Sequence, residues 1–381
     1  MSASTPLRTA LIGVALASTA LVPLQGTALA AQAEPVGAAT AAPSVSGIEK
    51  ATALALARSL ADPAWSGEVR RAALGSDTVG LGELTADATA AAGRKLAARL
   101  VRADEDVAAA KGLSGRAGSL LRLGLADASM RSRLASGTAP LVAAAPSDDD
   151  ASTFTAYDSS GTAHELALDS APDRPVYLVD VDGAKAVAAG LDVIDKALEA
   201  KGLNAPARTS AVSATAAAAG IDTTRIDSVR IADVKEPFFK GDAEIFTLVT
   251  GFGKDGKPRV DTVDMPYLNK ENTTYYPNQV LVNWANYKYD MADAVMMEDD
   301  GDTNYQALAK AIVAVLLTIT DQGAYIPLAD ALLDAVPTSW WTDDPDYVDS
   351  WYTLARTTSG TRNGAAGNGW MSVSPYHVSE L

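Results

Sequence analysis

Apolar residues recur at helical spacing through the first third of the chain. Ile48, Ala51, Leu54 and Ala55 lie on one face, as do Leu84, Ala88, Ala91, Ala92, Leu96 and Leu100. Steps of three and four residues align such positions along one side of a helix. Pro63 disfavours helix in the residue before it, so the first helix is expected to stop near Asp62. Residues 113–134 (LSGRAGSLLRLGLADASMRSRL) read as one or two further helices, loosened by Gly115, Gly118 and Gly124. The pattern predicts an alanine-rich helical module over residues 47–142. Its glycines do not make a phosphate loop, because no Gly-Lys-Ser/Thr follows them.

Beyond residue 150 the period shortens. Strands are expected at 153–157 and 164–168, around the turn Asp158-Ser159-Ser160-Gly161. Residues 174–181 (RPVYLVDV) form a nearly unbroken apolar run, as in a strand buried on both faces. A helix over 185–201 follows, with Val187, Leu191, Ile194 and Leu198 on one side and Gly202 at its end. Residues 152–203 thus predict a small α/β unit, and the Ala/Ser/Thr-rich residues 204–220 a linker.

From residue 221 onward, alternating segments at 228–234, 243–250, 259–264, 278–284, 293–297, 347–354 and 370–378 predict an antiparallel β-sandwich. It carries an insert of two apolar helices, 305–320 and 326–336, expected to pack on the sheet as a helical hairpin. The apolar part of the first is shorter than the roughly 20 residues that a membrane span needs. The expected fold class is α+β multidomain: a helical N-terminal module, a small α/β unit and a C-terminal β-sandwich with an inserted helical hairpin.

The first 46 residues carry an address. Arg8 precedes an apolar stretch at 9–24, and Ala28-Leu29-Ala30 fits a signal-peptidase site, with Ala31-Gln32-Ala33 as the alternative. Pro23 and Gln25 interrupt the run, which argues against an anchor. The expectation is a signal peptide over 1–30 cut near Ala30, a disordered leader over 31–46, and a secreted, extracellular chain with no span in its mature part.

Charge and cysteine content narrow the chemistry. A net charge of −16 argues against a nucleic-acid partner, which needs clustered Lys and Arg. The chain has no cysteine. That excludes disulfides, thiolate zinc sites and cysteine nucleophiles. Cohesion must come from core burial or from a bound ion.

Most of the negative charge falls in residues 290–349, which hold thirteen acids against one base, Lys310. Calcium favours six to eight hard oxygen ligands. The segment Asp299-Asp300-Gly301-Asp302 supplies oxygens on a turn, but it is not an EF-hand, because Met296 and Ala307 fall where its terminal ligands belong. End loops of a sandwich sharing one ion are the alternative geometry. The candidate metal ligands are Asp242, Asp299, Asp300, Asp302, Asp343, Asp344, Asp346 and Asp349, and the candidate cofactor is Ca²⁺. The bland alternative is a set of solvated loop acids.

Other chemistry has little support. His164 and His377 are the only histidines, and neither an H-E-x-x-H nor a G-x-S-x-G motif occurs. No residue is singled out as catalytic. A glycosidase needs two carboxylates and sugar-stacking aromatics, so a secreted hydrolase using Asp343 and Asp344 beside Trp340 and Trp341 is the alternative to a non-catalytic binding or structural protein. Trp284, Trp340, Trp341, Trp351, Tyr275, Tyr276 and Tyr287 crowd the last module. Through Trp284, Trp340 and Trp341 above all, they could face a carbohydrate or protein partner, or else fill the core.

Several segments carry a resemblance: Arg174-Pro175-Val176, Lys240-Gly241-Asp242-Ala243-Glu244, Tyr275-Tyr276-Pro277-Asn278-Gln279-Val280, Asp302-Thr303-Asn304-Tyr305, and residues 340–352. On these the chain resembles an uncharacterised family of secreted bacterial proteins, a domain of unknown function. The resemblance implies that the modules belong together. It implies no established activity and transfers no catalytic residue.

Overall fold

The computed structural model describes residues 44–379 except 114–116, 147–150, 169, 171, 205–219, 235–242, 300, 302 and 320–346. Helix α1 (Val45–Ser59) opens the described chain, with the Ser44 hydroxyl accepting from the Gly47 N–H at 3.2 Å. Asp62 caps α2 (Pro63–Gly75), and Pro63 begins it, where a missing N–H costs nothing. Strand β1 (Thr78–Gly80), α3 (Leu81–Ala86) and α4 (Ala91–Ala110) follow.

Over 113–134 the structure departs from the helical expectation. It has strand β2 (Leu121–Leu125), then a short turn of 3₁₀ helix and α5 (Arg131–Ala135). In LRLGL, Leu121 and Leu123 are buried while Arg122 and Gly124 are less so, which is a period of two. The buried Asp104 of α4 accepts the N–H groups of Leu120 and Leu121, both at 2.8 Å, and ties the strand's start to the helix.

Strands β3 (Leu141–Ala144), β4 (Thr153–Tyr157), β5 (Ala163–Ala167) and β6 (Val176–Val181) complete one sheet, in the order β1-β2-β6-β3-β4-β5. The pair β3–β6 is parallel, and the other pairs in this sheet are antiparallel. Residues 47–142 are therefore not helical alone, since they give β1, β2 and the start of β3 to the sheet that 152–203 also builds.

The β4–β5 turn is held by one carboxylate. Asp158 Oδ1 accepts from the Ser160 hydroxyl at 2.6 Å and from the N–H groups of Ser160 and Thr162 at 2.9 and 3.0 Å. Its Oδ2 lies 3.0 Å from His164 Nε2. The Ser160 hydroxyl foremost, then His164, holds this carboxyl well below the usual carboxylate range. Such a depressed group contributes stability that is fully present above the unfolded value of about 4 and is lost as the pH falls through the folded value. The protection factors of the Gly161 and Thr162 amides should therefore be constant above about pH 4 and drop in stronger acid. Unchanged protection across that range would contradict the role given to Asp158.

Helix α6 (Gly183–Ala200) leads to a second region built from β7 (Ile221–Ile231), β8 (Ile245–Phe252), β9 (Pro258–Asp264), β10 (Gln279–Asn283), β11 (Met291–Glu298), α7 (Tyr305–Thr318), β12 (Tyr347–Ala355), β13 (Gly360–Asn363) and β14 (Gly369–Val378). They form two antiparallel sheets, β10-β7-β14-β13 and β12-β11-β8-β9. Ile226, Val229 and Val373 from the first and Val249, Ala294, Met296 and Trp351 from the second share one buried cluster. The opposite face of the second sheet, with Phe246, Leu248, Val295 and Met297, packs into the cluster that holds α6 and α7. Covered on both sides, β8 is buried at every position.

The fold is α+β, with seven helices and three mostly antiparallel sheets among the described residues. The second expected insert helix, 326–336, lies outside them. So do residues 205–219 of the expected linker 204–220, and no helix of the described residues is long and apolar enough to cross a membrane.

Candidate ligand-binding cleft

Of the eight candidate metal ligands, Asp242, Asp300, Asp302, Asp343, Asp344 and Asp346 lie outside the described residues, as do Trp340 and Trp341. The remaining two are engaged by the protein itself. Asp299 is buried, and its Oδ1 lies 3.0 Å from Nζ of Lys111, which is equally buried. Lys111 follows the end of α4 and also donates to the Gly301 carbonyl at 3.1 Å. At the same junction the Tyr305 N–H donates to the Lys111 carbonyl (2.9 Å) and the Asn304 amide to that of Ala110 (2.6 Å). Asn304 Oδ1 then caps α7 by accepting from Ala307 N–H at 2.9 Å. The end of α4 and the start of α7 thus satisfy one another's free backbone groups. The cation beside Asp299 is a lysine.

Asp349 is fully buried on β12. Its Oδ1 accepts from the N–H groups of Ser350 and Ala366, both at 2.8 Å, and its Oδ2 from those of Asn368 and Gly369, both at 2.9 Å. It organises the β13–β14 turn, and a side chain at Gly364 would overlap its carboxylate. Among the described residues no group of three or more acids or histidines is placed to hold a metal.

Trp284 and Trp351 are core, whereas Trp370 of β14 is only partly buried and lines an open pocket. Trp284 is 3% exposed and donates to Thr224 Oγ1 at 3.0 Å, which corrects its assignment to a partner-facing surface. Trp351 is buried and donates to the Arg362 carbonyl at 3.1 Å, and the buried Tyr287 donates to that of Val249 at 3.1 Å. With few aromatics in the chain, the two-sheet core takes the bulkiest ones. Among the described residues the two imidazoles bond to aspartates, His164 to Asp158 and His377 to Asp222, and to no hydroxyl.

Two tyrosines are exposed among the described residues, Tyr376 on β14 and, more fully, Tyr276 on the loop that leaves β9 in one sheet and enters β10 in the other. Met265 and Leu268 anchor this loop in the core. Tyr275 exchanges both backbone hydrogen bonds with Val229 of β7 (2.9 and 3.0 Å), and the Asn272 N–H donates to the Ile231 carbonyl at 2.8 Å. A loop tied at both ends and at its middle is a firm platform.

It walls an open cleft of about 660 Å³ lined by Asp264, Pro266, Tyr267, Tyr275, Tyr276, Pro277 and Gln279. Tyr276 is 73% exposed. The Tyr267 and Tyr275 rings lie 6.0 Å apart, tilted by 51°. Tyr267 donates to Gln279 Oε1 at 2.6 Å, Gln279 Nε2 to the Asp264 carbonyl at 2.8 Å, and Tyr275 to Asn269 Oδ1 at 2.9 Å. Burial, then the Asp264 charge, pushes the Tyr267 phenol above its ordinary value, so it stays a neutral donor. Burial pushes Asp264 up as well, partly offset by a backbone N–H at Met265. Tyr275 and Tyr276 are evident in the sequence as an aromatic pair, but nothing there joins them to Tyr267 or Asp264.

A second cleft, of about 350 Å³, brings together carboxylates that the sequence does not connect: Asp195 and Glu199 of α6, and Asp261 of β9. Asp261 pairs with Arg259 at 2.7 Å and accepts from Asn286 at 2.9 Å. Thr262 bonds Asp195 at 3.2 Å, yet burial still raises that carboxyl.

A family model described as a protein of unknown function, DUF3103, matches residues 52–381. No curated protein and no solved structure matches the chain. The segment Tyr275–Val280 that walls the first cleft falls inside the matched region.

Proposed function

The chain belongs to this family of unknown function, and from its own geometry we propose an exported, non-catalytic binding protein. Its last two sheets act as a β-sandwich that presents the tyrosine cleft to a ligand. The observation that carries the reading is the bare face of Tyr276 on a loop pinned by backbone bonds, beside two half-buried tyrosines. Concave sites with aromatic walls and few convergent polar groups are the common form of a small-ligand site. Export rests on Arg8, the apolar stretch 9–24 and Ala28-Leu29-Ala30.

A thermal-shift screen over sugars, amino acids and amines, run on the parent and on Tyr276→Ala, tests it. A ligand at a hundred times its Kd adds about 2.7 kcal/mol. At least one compound should stabilise the parent and leave the variant unmoved. Shifts equal in both proteins, or none in either, would overturn the reading.

A second reading, a carboxylate hydrolase, is favoured by one observation. Burial raises the Asp195 carboxyl, while Asp261 in the same cleft pairs with Arg259 at 2.7 Å. It requires glycan hydrolysis that both Asp195→Asn and Asp261→Asn abolish. Calcium, through Asp242, Asp300, Asp302, Asp343, Asp344 and Asp346, is read by the melting difference between calcium and chelator, with the same gain of about 2.7 kcal/mol expected at saturation.

A further inference from the structure

We propose that the tyrosine cleft takes a small organic cation, a quaternary ammonium held against the faces of Tyr267, Tyr275 and Tyr276 with Asp264 as its counter-ion. The proposal rests on this cleft being the binding site, and names the class of ligand it accepts.

The hydrogen-bonding capacity of the inner cleft argues the class. A sugar is recognised through convergent donors and acceptors. Here the inner donors are engaged within the protein, Tyr267 with Gln279, Gln279 with the Asp264 carbonyl, and Tyr275 with Asn269, which leaves the hydroxyl of the exposed Tyr276 at the rim. The cavity is lined by three tyrosines, two prolines, Gln279 and a single acidic residue, Asp264, whose charge reaches the Tyr267 phenol. A quaternary ammonium asks for that set, because it has no N–H to satisfy and is attracted by the negative face of an aromatic ring.

The ring geometry fits. Tyr267 and Tyr275 meet at 51° with centroids 6.0 Å apart, making a corner, and Tyr276 stands free beside them. Cations are drawn to a ring within about 6 Å of its centroid. Charge argues the same way. Asp264 has no cation partner among the described residues, and no basic side chain lines the cleft. The chain's net charge of −16 adds a field that favours positive ligands. Burial already taxes the Asp264 anion, and a bound ammonium would relieve that cost.

Calorimetric titration of the full chain with choline tests this, against 3,3-dimethylbutan-1-ol as the neutral carbon isostere and maltose as a sugar. Choline should bind saturably, and the isostere about tenfold more weakly or less well still. Asp264→Asn should weaken choline by a similar factor and leave the isostere unchanged. Tyr276→Ala should weaken both, with melting temperatures matching the parent to show that each variant is folded. Equal binding of choline and isostere, or choline affinity intact in Asp264→Asn, overturns the cation. Maltose binding that depends on Tyr276, without choline binding, overturns the cation and keeps the cleft. No heat from any of the three in any protein overturns the cation, and the compound screen above then decides the cleft.

Discussion

Lys111→Met is expected to lower the unfolding free energy by about 3–5 kcal/mol, because it strands the buried Asp299 carboxylate without its cation. The residues are 1% exposed on each side chain, so no solvent replaces the lost partner. The junction magnifies the loss. Lys111 also holds the Gly301 carbonyl, and the turn that follows delivers Asn304 and Tyr305 to the end of α4. Replacing both charges, as Lys111→Met with Asp299→Leu, should recover most of the loss, since a well-packed apolar pair is often no worse than a buried ion pair. Denaturant midpoints for the parent, both single variants and the double variant form the cycle that reads this. A single variant as stable as the parent would mean that Asp299 is neutral or otherwise compensated.

Asp349→Ala should cost a comparable amount, about 3–5 kcal/mol, through a different mechanism. Four backbone N–H groups converge on this one carboxylate at 2.8–2.9 Å. A hydrogen bond to a charged acceptor contributes about 1.5–3 kcal/mol, and a buried donor left without one costs about 1–3 kcal/mol. The sum is limited because the 364–369 turn will open and let water reach some of the donors. Ser350 sits on a fully buried stretch of β12 and will not be rescued that way. Amide exchange should therefore show lost protection at Ala366, Asn368 and Gly369 first. Chelator added to the parent should leave these amides as they were, because Asp349's acceptor oxygens are filled by N–H groups. Protection that vanishes with chelator would place an ion at Asp349.

Elements whose apolar period was unbroken could be read from sequence. The α6 stripe of Val187, Leu191, Ile194 and Leu198 is a buried helix face, and β10, β11 and α7 lie within a few residues of their expected bounds. Strand β13, Gly-Thr-Arg-Asn, is exposed at every position and so has no apolar alternation to find. Strand β2 was hidden by the helix-like sequence around it, and only its pairing with β6 and the buried Asp104 decide its state.

The candidate chemistry divides in the same way. A cluster of acids predicts a nearby positive charge, and for Asp299 that charge exists. Its source lies 188 residues away, in a module with no sequence link to it. Aromatic content cannot separate a core ring from a surface one. Trp284 and Tyr276 lie eight residues apart in one loop-rich stretch, yet Trp284 is buried among the strands and Tyr276 stands in solvent. That difference comes from tertiary packing, in which the loop after β9 folds back on β7 and turns Tyr276 outward.

The most direct measurement is an NMR titration of the chain labelled only on tyrosine rings, with choline as the ligand. The account predicts shifts at Tyr267, Tyr275 and Tyr276 that saturate together, with the buried Tyr177, Tyr287 and Tyr305 unmoved. Saturating shifts at other tyrosines, with those three rings unchanged, would contradict it.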